Sequence, residues 1–472
     1  FWNEESFYFA WDMDSRGRAY PRASALSPQG SQWSKYLMEF ANGQLIQKDE
    51  DMDGIRFNAA TCFGKDKLPL TDRIKWTRDN LKDLLAVARD PYGNLLWTEA
   101  EEPAGFLASC FELLGYEENG FAHVSRLPVA VDATCSGLQI LSALSRDEVG
   151  GRSVNLTGED ERFDIYSEVA EGPVRRTLEE VAAGQLGPYA DFENAQEFAA
   201  AALEYGFDRK LTKRVTMTVP YSATEDSCRE YVREYYHDRL EQDRKYNFKA
   251  KGPHEQFHKF SVFMAKVVWN AIPQVVVRGL EVMKWIQDVS VATVKANPTV
   301  PLQWETPDGF VGRTNRPKER VIQPRLYIYD YTRRAAKNPG DAKVSDIRTK
   351  QWTDKEDAQQ HRNSCAPNAV HSLDATHLRM VVRRWSRIVR ARGEVAEMAM
   401  IHDSFAVGTV DFRLFNRVIR EEFFRLYTDH DCLAEYEQSM REIAGPDVVF
   451  PERPEIGSLD LSSVLTNQFF FS

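Results

Sequence analysis

No stretch of this sequence approaches the ~20 consecutive apolar residues that a membrane-crossing helix needs. A membrane-spanning protein is therefore not expected. Cysteine is scarce and scattered: Cys62, Cys110, Cys135, Cys228, Cys365 and Cys432 include no C-x-x-C pair. That argues against a zinc site or a disulfide framework and fits reduced, mostly buried thiols in a cytosolic compartment. Positive charge is not in excess either, with 60 Lys and Arg against 71 Asp and Glu and a net charge of −11. A uniformly basic nucleic-acid binder is excluded, but binding follows local clustering, and residues 313–350 hold eleven Lys/Arg against four Asp/Glu. The first residue is Phe, and no charged-then-apolar leader precedes the aromatic opening stretch. The chain is accordingly expected to be a portion of something longer or a processed product. What remains is a 472-residue globular composition, 43% hydrophobic and 28% charged, with room for roughly two to four domains.

The most informative stretch runs from Arg209 to Tyr221. Arg209, Lys213, Met217 and Tyr221 recur every four residues, so a helix sets them along one slowly spiralling face. Two cations one turn apart suit a polyanion such as a triphosphate. A thioether and an aromatic ring further along suit the flat surface of a base or sugar. An amphipathic helix with a solvated basic edge has the same pattern. Pro220 lacks an N–H and crowds the carbonyl of Thr216, which places Tyr221 at a kink or just past the helix end.

Taken in order, the chain opens with aromatic residues that turn abruptly basic at Asp14-Ser-Arg16-Gly-Arg18. That composition suits stacking and backbone contacts to nucleic acid, or equally a strand and turn under a core. Residues 51–116 read as helices and loops, with Gly115 as a helix stop. From Leu127 an apolar strand delivers Asp132 to its end, and a small-residue turn then opens a helix. Asp132 is either a functional carboxylate or that helix's N-cap. Residues 157–207 and 225–300 read as helical. Residues 320–350 have strand-like composition around a turn at 333–340, either a groove-entering basic ribbon or a solvated surface hairpin. Ala366 to His377 opens another helix, on which His371 and His377, six apart, share no face for a metal. Met398 to Val410 reads as two apolar strands with His402-Asp403-Ser404 at their turn.

Two carboxylates at strand ends, with a cation-bearing helix between them in sequence, suit nucleotidyl transfer. Two Mg²⁺ ions shared by two aspartates can activate a hydroxyl and stabilise a leaving pyrophosphate. The cations would neutralise the triphosphate.

These segments, in this order, resemble the catalytic half of the single-subunit DNA-dependent RNA polymerases of bacteriophages and mitochondria, the phage branch being the nearer. The resemblance rests on Asp14 to Arg18, on Asp132 through Ser136-Gly137, and on Leu144 to Leu156. It continues with Arg209 to Tyr221, Ala366-Pro-Asn to His371, His402-Asp403-Ser404 and the closing Phe469-Phe-Phe-Ser472, and covers essentially all 472 residues. It implies a helix-rich mixed α/β right-hand fold. Residues 1–156 and 366–472 would form a palm sheet carrying Asp132 and Asp403, and residues 157–365 would form inserted helical fingers. The fingers would include the nucleotide-binding helix 208–221 and a specificity hairpin at 320–350. Family members carry an amino-terminal domain and a thumb before the region where this chain begins.

The resemblance assigns Asp132, Asp403 and the backbone carbonyl of Ala133 to two Mg²⁺ ions. Arg209 and Lys213 would hold the triphosphate, with Lys75 in support. Met217 would lie near the templating pair, and Tyr166 near the nucleotide entry. Tyr221, with His371, would favour a ribose bearing its 2′-hydroxyl. Arg16, Arg18, Lys35 and Arg214 would contact nucleic acid, as would Arg333, Arg334, Lys337 and Asn338 at the hairpin tip. The partners implied are double-stranded promoter DNA, a template strand, nascent RNA and ribonucleoside triphosphates, around a monomeric catalytic unit. The setting implied is the cytoplasm of an infected bacterium, with a mitochondrial origin as the alternative.

Two other readings compete. Relatives of bacterial DNA polymerase I carry a Glu five residues after their first aspartate that blocks the 2′-hydroxyl; here that position is Gly137. A non-catalytic nucleic-acid-binding fragment would have no need of two clustered acids, whose mutual repulsion is a cost. Pro220 before the gating Tyr, and Ser222 after it in place of a familiar glycine, depart from the family pattern.

Overall fold

The computed structural model describes residues 6–23, 25–159, 161–242, 253–322, 325–328, 343–346 and 349–471. The architecture is mixed α/β and helix-rich, with small antiparallel sheets. The central sheet has three strands in the order Ala399–Ile401, Ser404–Val407, Val129–Asp132. Alternation sets its faces: Val129 and Val131 enter the core while Asp132 reaches solvent. Helix Ser136–Ser145 follows the first strand and is buried along most of its length. The long helix Ala358–Ala391 packs against it and against Val277–Ala296 and Phe412–Thr428. Their apolar faces merge into one core containing Leu141, Val268, Ile286, Trp385, Phe405 and Phe470.

A second core joins helices Asp53–Ala60, Leu81–Arg89 and Pro103–Asn119 through Ile55, Leu84, Val87, Phe106 and Leu113. The last of these helices corrects one expectation. Gly115 does not stop it. The helix runs on to Asn119, and Gly120, at φ +58°, ends it. Gly115 is small for a packing reason, because a Cβ there would meet the His123 ring at 2.6 Å.

A second correction concerns the long helix, which begins at Ala358 and not near Ala366. Asp357 caps it by accepting from the backbone N–H groups of Gln359 and Gln360. Pro367 therefore sits inside the helix, where its missing donor is offset by burial of Cys365, Ala366 and Pro367 against the core. The expected strands near 320–350 are present as two antiparallel pairs. Pro317–Ile322 pairs with Thr349–Glu356, and Arg325–Ile328 with Lys343–Asp346. The tip carrying Arg333, Arg334, Lys337 and Asn338 lies outside the described residues. No single helix among the described residues is long and apolar enough to cross a membrane.

Candidate active site

Asp132 ends one strand and Asp403 sits in the turn that opens another, far along the chain, and the ladder brings them together. Ser404 lies opposite Asp132 in register, and the N–H of Ala133 donates to the Asp403 carbonyl at 3.2 Å. Asp403 occupies the second corner of a two-residue hairpin turn whose first corner, His402, takes φ +53°. Positive φ at that corner is what a type II′ turn demands. The segment Phe469–Phe471 supports the same spot: Ala133 bridges Phe471, and Thr134 Oγ1 donates to the Phe469 carbonyl at 3.1 Å. The helix after the strand has Cys135 at its N-cap, φ +59°, with no side-chain capping bond. Asp132 is thus not a helix cap, and the capping alternative falls.

Electrostatics distinguishes the spot. Asp132 is solvent-accessible, yet the surrounding protein and then the charge of Asp403 push its pKa up to about 7. The nearby positive charge of exposed Lys35 works the other way. Asp374, almost fully buried on the long helix, is raised to about 6 by burial. Arg18 opposes that rise, and Asp403 adds to it. Arg18 donates to Asp374 Oδ2 through both Nε (3.0 Å) and Nη2 (2.7 Å), and its charge also faces Tyr221 and Asp403.

The cation helix forms as Arg209–Thr218, capped by Asp208, and Val219–Tyr221 makes a single 3₁₀ turn beyond it. Tyr221 is therefore just past the helix end, as Pro220 implied. Arg209 Nε donates to Asp164 Oδ2 at 2.6 Å, and its guanidinium lies 5.2 Å from the centre of the Tyr166 ring. Burial alone would raise the Asp164 pKa, but Arg209 outweighs it and holds the carboxyl below its usual value. The Tyr166 hydroxyl faces the Cys135 thiol, three residues from Asp132. Lys213 and Met217 are exposed on the same helix, and Lys213 has no ion pair among the described residues. Arg214 pairs with Glu234 and stacks over Tyr231 at 4.1 Å. Lys75 is exposed on helix Leu70–Asp79, with no contact tying it to Arg209.

Tyr221 stacks on His371, ring centres 4.4 Å apart. Burial, then Arg18 and Arg16, lowers the His371 pKa to about 3. The hairpin Trp11–Met13/Ala19–Pro21 carries its turn onto the long helix at three points. Arg16 Nη1 is 2.7 Å from His371 Nδ1, Arg18 holds Asp374, and Arg379 donates to the Gly17 carbonyl at 2.9 Å.

The sequence matches the model of the DNA-dependent RNA polymerase family over residues 48–445. The chain belongs to that family. It is 31% identical over 503 residues to the DNA-directed RNA polymerase of Enterobacteria phage K11, aligning all of this chain with 52% of that protein. It is likewise 31% identical over 500 residues to T7 RNA polymerase of Escherichia phage T7, covering 54% of it. DNA-directed RNA polymerase 1, mitochondrial, of Arabidopsis thaliana is 29% identical over 484 residues, with 44% covered. The chain thus spans about half the length of the curated relatives it matches.

Within this RNA polymerase family chain, sequence reasoning missed Asp164, Asp374 and the inward role of Asp14. Asp374 had a signal, since it lies one helical turn after His371. Asp164 gave none, because its partner Arg209 is 45 residues away.

Proposed function

We propose that this chain carries the nucleotidyl-transfer centre of a DNA-dependent RNA polymerase, extending an RNA 3′ end with ribonucleoside triphosphates against a DNA template. The observation that carries this reading is the placement of Asp132, at a strand end, beside Asp403, in the turn that opens the adjoining strand, with the Asp132 pKa raised to about 7 partly by Asp403. Two acids brought side by side at a solvent-reached strand end form a hard-oxygen site that a divalent cation relieves. Asp132, Asp403 and the carbonyl of Ala133 would hold two Mg²⁺ ions, which supply activation of the attacking 3′-hydroxyl and neutralisation of the leaving pyrophosphate.

The chain's own residues do the positioning. Exposed Lys213 and Arg209, the latter oriented by Asp164 and Tyr166, grip the triphosphate. The stacked Tyr221 and His371 read the sugar, and Met217 lies toward the templating base. Tyr166 borders nucleotide entry, and Lys75 supplies further positive charge. Lys35, Arg214 and the ribbon between 320 and 350 contact nucleic acid, and Arg16 and Arg18, engaged by His371 and Asp374, would reach it only through their remaining N–H donors. Residues 1–156 and 366–472 serve as the palm and 157–365 as the fingers. The partners are promoter and template DNA and nascent RNA, and the setting is the cytoplasm of an infected bacterium.

The test is primer extension with an RNA primer on a DNA template, Mg²⁺, and either ribo- or deoxynucleotides, run beside Asp403→Asn. Ribonucleotide extension abolished by Asp403→Asn is expected. Extension that survives the substitution, or that uses deoxynucleotides in preference, would overturn the reading.

A further inference from the structure

A guanidinium carries five N–H donors and no acceptor. The 2.7 Å contact between Arg16 Nη1 and His371 Nδ1 therefore fixes more than a distance, because Nδ1 must accept and the ring proton must sit on Nε2. Arg16 is itself held. Its Nε and Nη2 donate to Asp14 Oδ2 at 2.9 and 2.5 Å, and Nη2 also reaches the Tyr20 hydroxyl at 3.2 Å. The other Asp14 oxygen accepts the backbone N–H groups of Arg16 (2.9 Å) and Arg18 (3.1 Å), so one carboxylate organises the whole turn.

Resting on the reading above, we propose that Asp14 and Arg16 are positioning residues for sugar selection. They lock the His371 imidazole into the tautomer that offers Nε2–H as a donor on the edge away from Arg16. The relay runs Asp14, Arg16, His371, Tyr221, and it ends on the two rings that would read the ribose. A neutral ring with one fixed N–H can favour a ligand bearing a hydroxyl acceptor. A ring free to exchange tautomers offers a donor at that edge only part of the time. Burial and the two arginines keep this ring neutral well below physiological pH, so the tautomer, not the charge, is what the relay sets.

The experiment uses the full chain with ¹⁵N-histidine labelling, the His371 resonances being assigned by their loss in His371→Gln. Nitrogen shifts report the tautomer without any need for catalysis. The wild-type ring is expected as a single Nε2–H form. Arg16→Met should give a tautomer mixture and lower the ribo-to-deoxynucleotide preference in primer extension by about fivefold, the worth of one hydrogen bond. Arg16→Lys, which keeps a donor, should restore both. Asp14→Asn, which keeps the turn's acceptor oxygen but loses the charge, supplies a second variant should Arg16→Met fail to fold; it should shift both readouts in the Arg16→Met direction. An Nδ1–H ring in the wild type would overturn the proposal. So would an unmoved tautomer and preference in the folded variants. Absence of extension with every nucleotide would instead sink the polymerase reading, and the nitrogen shifts would still decide the tautomer.

Discussion

The hydroxyl of Tyr221 lies where a side chain on residue 137 would have to go. A Cβ on Gly137 would meet that oxygen at 2.9 Å and the Cβ of Pro220 at 3.1 Å. Gly137 is thus the seat of the tyrosine in this conformation, besides being the position where a blocking glutamate is absent.

Gly137 lies in the first turn of its helix, where replacing glycine with alanine normally stabilises by at most about 1 kcal/mol. Gly137→Ala should forfeit that gain and slow ribonucleotide insertion about tenfold, by displacing the Tyr221 ring. Tyr221→Phe removes the nearest atom, so the double variant should recover part of the loss. A double-mutant cycle with a coupling of about 1 kcal/mol is expected. Strict additivity would show that the two positions do not meet.

Ser222 follows at φ +61°, a left-handed backbone, and its buried hydroxyl has no hydrogen-bond partner. Both features cost stability, about 1 kcal/mol each. Glycine relieves both but loosens the unfolded chain by somewhat less. Ser222→Gly should therefore raise stability by about 1 kcal/mol in denaturant unfolding, and Ser222→Ala by less. A loss of stability in Ser222→Gly would refute the strain argument.

Asp132 titrates near 7 in the folded chain against an ordinary 3.8. As pH rises from 4 to 7 the unfolded chain gives up this proton first, so the folded state loses stability across that window. His371, at about 3, and His377 and His402, at about 4, act in the opposite sense. Their stabilising effect is complete above about 6.5 and disappears as pH falls toward 4. Asp132→Asn should accordingly stabilise the protein at pH 8, by about 1 kcal/mol once solvent screening is allowed for, and the gain should vanish near pH 4. Millimolar Mg²⁺ should raise the melting temperature of the wild type more than that of this variant.

Arg209 is held by Asp164 through its Nε and sets its guanidinium 5.2 Å from the centre of the Tyr166 ring, an arrangement that an ammonium does not reproduce. Arg209→Lys is expected to raise the KM for nucleoside triphosphate about tenfold with a smaller fall in kcat. Equal loss in both would place Arg209 outside triphosphate binding.

The strands beside Asp132 and Asp403 were legible because short apolar runs around a polar turn admit few other structures. The bend at His402 and Asp403 and the place of Tyr221 after Pro220 followed from local chemistry. The long helix was misjudged at its start because proline usually marks a boundary, and only burial from other elements retains Pro367 inside. Gly115 looked like punctuation and proved to be clearance for His123. The pairings Asp164 to Arg209, Arg16 to His371 and Arg18 to Asp374 were invisible for one shared reason. Each joins residues 45 to 356 positions apart, and no local pattern encodes which charge meets which.

The strand bearing Asp132 finds its sheet partner only at residues 404–407. On a ribosome adding roughly 5–20 residues per second, a nascent chain carries that aspartate for about 15–50 s before its neighbour is made. Through that interval the first strand is an unpaired edge, open to wrong partners. The sheet can close only late, across a long loop whose entropy must be met first. Birth order thus leaves the newborn polypeptide without its central sheet until its distant half arrives, and makes that waiting strand the place where misfolding should begin.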